Sequence, residues 1–165
     1  MESNREKTVA ILKQEFESEI LFVEEPYQFL TITLKAERII EIIQFLYNNP
    51  ETQFQFLTTL CGIHYPDLNQ IAVMYQLHNF RTNQQIRLKI YLSADKPETH
   101  TLTNVFAAAN WMERETYDFF GVNFIGHPNM KRILNVDDMI FFPLRKEFPL
   151  EDQTREDKND ALFGR

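Results

Sequence analysis

The segments Ile71-Ala72-Val73-Met74-Tyr75-Gln76-Leu77 and Ile86-Arg87-Leu88-Lys89-Ile90-Tyr91-Leu92 decide the fold. In each, every second side chain is large and apolar: Ile71, Val73, Tyr75 and Leu77 in the first, Ile86, Leu88, Ile90 and Leu92 in the second, where Arg87 and Lys89 fall between. Successive side chains of a strand point to opposite faces, so both segments read as strands with one face in a core. The polar run from His78 to Gln85 suits an antiparallel hairpin with a protruding loop, since parallel neighbours need a longer crossover.

Ile20 to Val23 and Phe29 to Leu34 form a second expected hairpin, turned by Glu24, Glu25 and Pro26, with Leu30, Ile32 and Leu34 alternating against Thr31 and Thr33. Phe54 to Leu60 supplies a further strand. Helices are expected over Arg5 to Glu17, where Val9, Leu12 and Phe16 recur at helical spacing, and over Ala36 to Asn48, where Ile39, Ile43 and Leu46 make a stripe beside Ile40 and Tyr47. The second ends at Asn48-Asn49-Pro50 and should lie on the sheet. A third helix, capped by Thr103 or Asn104, runs to Phe120 and stops at Gly121. The fold class is α+β: a largely antiparallel sheet of about five strands with helices packed on it, followed by an extended C-terminal arm. Residues 1–150 read as one domain, including an irregular partner-docking arm from about 121 punctuated by Pro128, Pro143 and Pro149; 151–165 is a polar tail that either stays mobile or lies along another protein.

Composition excludes several functions. A formal charge of −7 disfavours nucleic acid and anionic membrane surfaces. Cys61, at the expected end of a strand and the only cysteine, rules out an internal disulfide and any iron–sulfur cluster or four-thiolate zinc site made by this chain alone; it reads as a small buried residue. Met1 to Lys13 lacks the apolar run that export requires, and no segment approaches the ~20 apolar residues of a bilayer span, so membrane contact is expected only indirectly. No glycine-rich phosphate cradle is present.

The densest charge cluster is Glu113, Arg114, Glu115 and Asp118. Glu113 and Glu115 point about 200° apart on a helix, which argues against a paired-carboxylate acid/base site. Arg114 and Asp118 could pair four residues apart at the surface, for ~0.3–0.5 kcal/mol, or Glu113 and Arg114 could join an inter-subunit polar network, the preferred reading. Among His64, His78, His100 and His127 none has a histidine four residues away, and His127, in Gly126-His127-Pro128, reads as a turn residue bonded to backbone or to a neighbour. Lys131-Arg132 and Arg145-Lys146 read as docking contacts to carboxylates. Of Phe119, Phe120, Phe124, Phe141, Phe142 and Phe148, about half should be core and the rest interface.

The run from Glu113-Arg114-Glu115-Thr116-Tyr117-Asp118-Phe119-Phe120-Gly121-Val122 through Gly126-His127-Pro128-Asn129-Met130-Lys131-Arg132-Ile133-Leu134 resembles the signature of the 30 kDa subunit family of respiratory complex I, the C-type subunit of the bacterial NADH-quinone oxidoreductase. Pro143-Leu144-Arg145-Lys146-Glu147-Phe148-Pro149-Leu150 resembles that family's second element. The resemblance implies a cofactor-free, non-catalytic subunit in the peripheral arm of NADH:quinone oxidoreductase. It would lie on the cytoplasmic face of the bacterial inner membrane, against the 49 kDa-type subunit whose cavity receives quinone, with FMN and iron–sulfur clusters in partner subunits. The implied interface residues are Glu113, Arg114, Glu115, Asp118, Phe120, His127, Lys131, Arg132, Arg145, Lys146 and Phe148. Two alternatives stand beside it: the equivalent subunit of a membrane-bound hydrogenase or other-donor complex, and a small enzyme using Glu113, His127 or Asp118.

Overall fold

The computed structural model describes residues 2–148; the expected polar tail, 151–165, and the last two residues of the Pro143–Leu150 element lie outside the described residues. In chain order the elements are α1 (Glu2–Phe16), β1 (Ile20–Glu24), β2 (Thr31–Leu34), α2 (Ile39–Asn48), β3 (Phe56–Tyr65), β4 (Gln70–Asn79), β5 (Gln84–Ser93), β6 (Glu98–His100), α3 (Ala109–Phe120) and β7 (Asn123–Ile125). The class is α+β, as the alternating and helical periods require.

The five-stranded sheet runs β1-β2-β5-β4-β3. β4 and β5 pair antiparallel from Gln70 with Ser93 to Asn79 with Gln84, and β1 pairs antiparallel with β2. One pair departs from the antiparallel pattern: β2 and β5 are parallel, Thr31 opposite Arg87 and Leu34 opposite Ile90. The chain leaves β2, passes through α2 and the β3–β4 hairpin and returns beside β2, a long crossover that allows parallel pairing and that alternation within a strand cannot reveal. The strands also run further than their periods suggest, leaving only a four-residue turn, Phe80 to Asn83, between β4 and β5. Asn79 closes it by accepting at Oδ1 from the N–H groups of Arg81 and Thr82.

One sheet face carries Ile71, Val73, Tyr75, Leu77, Ile86, Leu88 and Ile90, all fully buried. Leu12 and Phe16 of α1, Ile39, Ile42, Ile43 and Leu46 of α2 and Ala109 of α3 belong to the same core. Each such aliphatic side chain contributes about 1.5–3 kcal/mol by leaving water. β3 extends through Cys61, Gly62 and His64, so Cys61 is a half-buried mid-strand residue opposite Met74, not a strand end.

α3 starts at Ala109, not at Thr103 or Asn104, and no side chain caps it. Leu102 accepts the N–H groups of Val105 and Phe106 in an intervening turn. Two short parallel strands, β6 and β7, flank α3, and three residues each are too few to show a period.

Candidate functional site

The residues singled out by sequence meet where α3 ends. Gly121 terminates the helix in the left-handed region (φ +78°), donating to Tyr117 O. The next three carbonyls of the last turn, which no helical N–H can reach, are satisfied from the arm. Arg132 Nη1 donates to Asp118 O (2.9 Å), the Leu144 N–H to Phe119 O (3.2 Å) and Arg145 Nε to Phe120 O (2.8 Å). Cations at a helix C-terminus also complement its dipole.

Asp118 is the anchor. Its fully buried carboxylate accepts at Oδ2 from the N–H groups of Ile133 (3.0 Å), Leu134 (2.8 Å) and Asn135 (2.9 Å), and at Oδ1 from Arg132 Nη1 (2.7 Å) and Asn135 Nδ2 (3.0 Å). Burial works to raise its pKa, but these donors together hold it well below the usual carboxylate range. Arg132 turns its other amine on Met139 O and Phe141 O, and Arg114 donates to Lys131 O and Arg132 O. The surface pair between Arg114 and Asp118 is therefore not formed: Asp118 takes Arg132, and Arg114 holds backbone.

Glu113 is fully buried and accepts from Thr101 Oγ1 (2.5 Å) and the Leu102 N–H (2.6 Å). Burial pushes its pKa up to about 7, against the two bonds that favour its charge. It thus fixes the chain entering α3 from inside, through bonds made within this chain. Glu113 and Asp118 have their own bonded surroundings and do not converge on a shared cleft.

Aromatic contacts complete the weld. Phe120 lies on β3 so closely that a β-carbon at Gly62 would sit 2.7 Å from its ring, and one at Gly121 would sit 2.5 Å from the Phe142 ring. The guanidinium groups of Arg132 and Arg145 each lie over the Phe142 ring, 5.2 and 5.1 Å from its centre. His127 behaves as a turn residue: Nδ1 accepts the Asn129 N–H (3.0 Å), which leaves Nε2 to donate to Asn110 O (3.2 Å). The Lys146 N–H donates to His64 Nδ1 (2.9 Å), tying the arm's far end to β3.

Of the sequence-selected residues, Glu115, Lys131, Lys146 and Phe148 face outward; Phe120, His127, Arg132 and Arg145 are half-buried; Glu113, Arg114 and Asp118 are buried. The exposed arm surface is instead dominated by Leu134, Val136, Ile140 and Leu144, beside the Phe141–Phe148 ring pair. Isolated apolar residues in an irregular segment show no period, so the sequence pattern does not mark these four aliphatics. Among the described residues no helix is long and apolar enough to cross a membrane, and no three His, Cys, Asp or Glu side chains gather as metal ligands.

A five-stranded α+β scaffold whose arm is bonded to the end of α3 and leaves apolar side chains outward, with the Glu113 and Asp118 carboxylates spent on internal bonds, has the features of a subunit-type interaction protein. The chain belongs to the family described as respiratory-chain NADH dehydrogenase, 30 Kd subunit, whose model matches residues 32–154. It is 41% identical to a C-type subunit of the NADH-quinone oxidoreductase of Rhizobium etli (strain CIAT 652) over 69% of this chain and 61% of that relative, so it spans about three-fifths of that protein's length. It is 39% identical to the C-type subunit of the NADH-quinone oxidoreductase of Roseiflexus sp. (strain RS-1), over 73% of this chain and 70% of that one. The fold matches the trypsin-resistant fragment (1-134) of Nqo5 with a TM-score of 0.62 and 25% identity, over 76% of this chain and 98% of that one. It also matches a chain of an archaeal membrane-bound sulfane sulfur reductase with a TM-score of 0.76 and 22% identity, over 90% and 86%.

Proposed function

We propose that this chain is a cofactor-free, non-catalytic subunit of the peripheral arm of a proton-translocating NADH:quinone oxidoreductase. It docks on the quinone-site 49 kDa-type subunit and supports electron transfer from NADH to quinone, with FMN and iron–sulfur clusters carried by partners, at the cytoplasmic face of the membrane. The names of the relatives near 40% identity favour NADH over hydrogen or another donor.

The observation that carries the reading is the arm: irregular backbone pinned at Asp118, Arg132 and Arg145 while Leu134, Val136, Ile140 and Leu144 stay in water. Apolar side chains held rigidly outward cost little ordering entropy when a partner covers them. Excluding water there fixes the geometry of the neighbour that handles quinone.

The test is Ile140→Asp. Ile140 is 96% exposed, so the isolated chain should melt unchanged. Losing its burial at an interface, about 1.5–3 kcal/mol, should raise the dissociation constant by roughly tenfold or more, read on native gels as a lower assembled fraction across a dilution series. An unchanged assembled fraction would overturn the docking role.

A further inference from the structure

The helices pack on one face of the sheet, and the arm reaches that same face at His64. On the opposite face two cross-strand rows run Thr33-Lys89-Met74-Cys61 and Thr31-Arg87-Gln76-Thr59. The sheet face turned away from a core is ordinarily polar and solvated, and two basic residues there need no explanation by themselves. The setting of these two is different. Lys89 Nζ donates to Tyr65 Oη (2.9 Å) and lies 4.9 and 4.8 Å from the centres of the Tyr65 and Tyr91 rings. Burial opposes its charge, but the two tyrosine oxygens more than offset this, so Lys89 keeps its proton. Arg87 lies 3.9 Å from the centre of the Phe29 ring and donates to Gln76 Oε1. Both cations are thus held in place by aromatic rings, and neither has a carboxylate within 4.0 Å among the described residues. Glu24 approaches from the exposed β1 edge, opposite Thr31, and the exposed Glu115 of α3 approaches from the β3 edge, where it and Arg87 act on Cys61 with opposite sign.

On a chain of net charge −7, a fixed pair of unneutralised cations is a local reversal of sign. Phe22, exposed and opposite Thr33, adds an apolar margin. Tyrosine and arginine anchors with an apolar margin are the composition of binding hot spots.

We infer that this sheet face is a second docking surface, which receives a protein partner presenting two carboxylates to Arg87 and Lys89. The two residues are two positions apart on one strand, so their side chains rise about 6.6 Å apart. That spacing fits acidic residues at i and i+2 of an extended segment, or three to four apart on a helix, where neighbours are about 5–6 Å apart. The arm lies on the other side of the sheet, so the chain bridges two neighbours. The inference rests on the reading of the chain as a subunit.

The test compares the complex purified from membranes with the isolated full-length chain. A water-soluble carbodiimide, which joins an amine directly to a carboxylate with loss of water, is expected to link Lys89 in the complex to an Asp or Glu of another subunit. Met74→Cys, in a Cys61→Ser background, is expected to react with a soluble maleimide about tenfold more slowly in the complex than in the isolated chain. Equal maleimide rates in a complex that contains the chain overturn the docking face and leave the subunit reading intact. Protection that disappears when lipid is stripped, a Lys89 link to a second copy of this chain, or protection without any Lys89 link each overturns the acidic-partner assignment. Absence of the chain from the purified complex is a different failure, that of the subunit reading itself.

Discussion

Asp118 and Arg132, fourteen residues apart, form a buried ion pair at 2.7 Å that joins the last turn of α3 to the arm. A buried pair adds little stability by its Coulomb attraction alone, but removing one partner leaves the other uncompensated. Asp118→Asn is therefore expected to cost about 3 kcal/mol, read as a lower denaturant midpoint. The carboxylate is stabilised in its charged form, so its contribution is complete above the unfolded pKa of about 3.9 and is lost as pH falls below it toward the depressed folded value. Acid titration of the wild type should show that loss, and the Asn variant should lack it.

Glu113 has the opposite sign. Its folded pKa of about 7 lies above the unfolded one, so the native state binds the extra proton between about pH 4.5 and 7, and stability falls as pH rises through that window. Glu113→Gln retains an acceptor for the Leu102 N–H and removes the titration. Melting temperature against pH should be flatter for the variant, which should be the more stable protein at pH 8; parallel curves would remove Glu113 as the cause.

Gly121→Ala places a β-carbon both in the left-handed region and against the Phe142 ring. The backbone term is about 1 kcal/mol and displacement of the ring adds about 1–3 kcal/mol. Detachment of the arm should show as faster proteolysis after Arg132 or Arg145 than in the wild type.

Gln28, with Tyr27 beside it, occupies the left-handed region (φ 67° and 52°) without being glycine. Gln28→Gly should raise the unfolding free energy by about 0.5–1 kcal/mol, measured by denaturant titration. A loss of stability would mean that the Gln28 side chain makes a contact worth more than the strain.

Local chemistry accounts for what could be read in advance. The alternation at Ile71–Leu77 and Ile86–Leu92 depends only on neighbours along the chain, as do the α2 stripe and the stop at Gly121, so these strands and helices and the α+β class follow from the residues alone, whereas β6, β7 and the start of α3 do not. The family was equally accessible, because its motif is an ordered run of side chains.

Pairing and bonding partners are long-range choices among groups of similar affinity. Nothing local told β5 to lie parallel to β2, nor Asp118 to take Arg132 and three backbone N–H groups in place of Arg114 four residues away. The same holds for Glu113, whose carboxylate turned inward to Thr101 and Leu102. An isolated polar side chain is indifferent among such partners; burial makes the choice, because once water is excluded each charge must be satisfied by whatever the packed chain brings within reach.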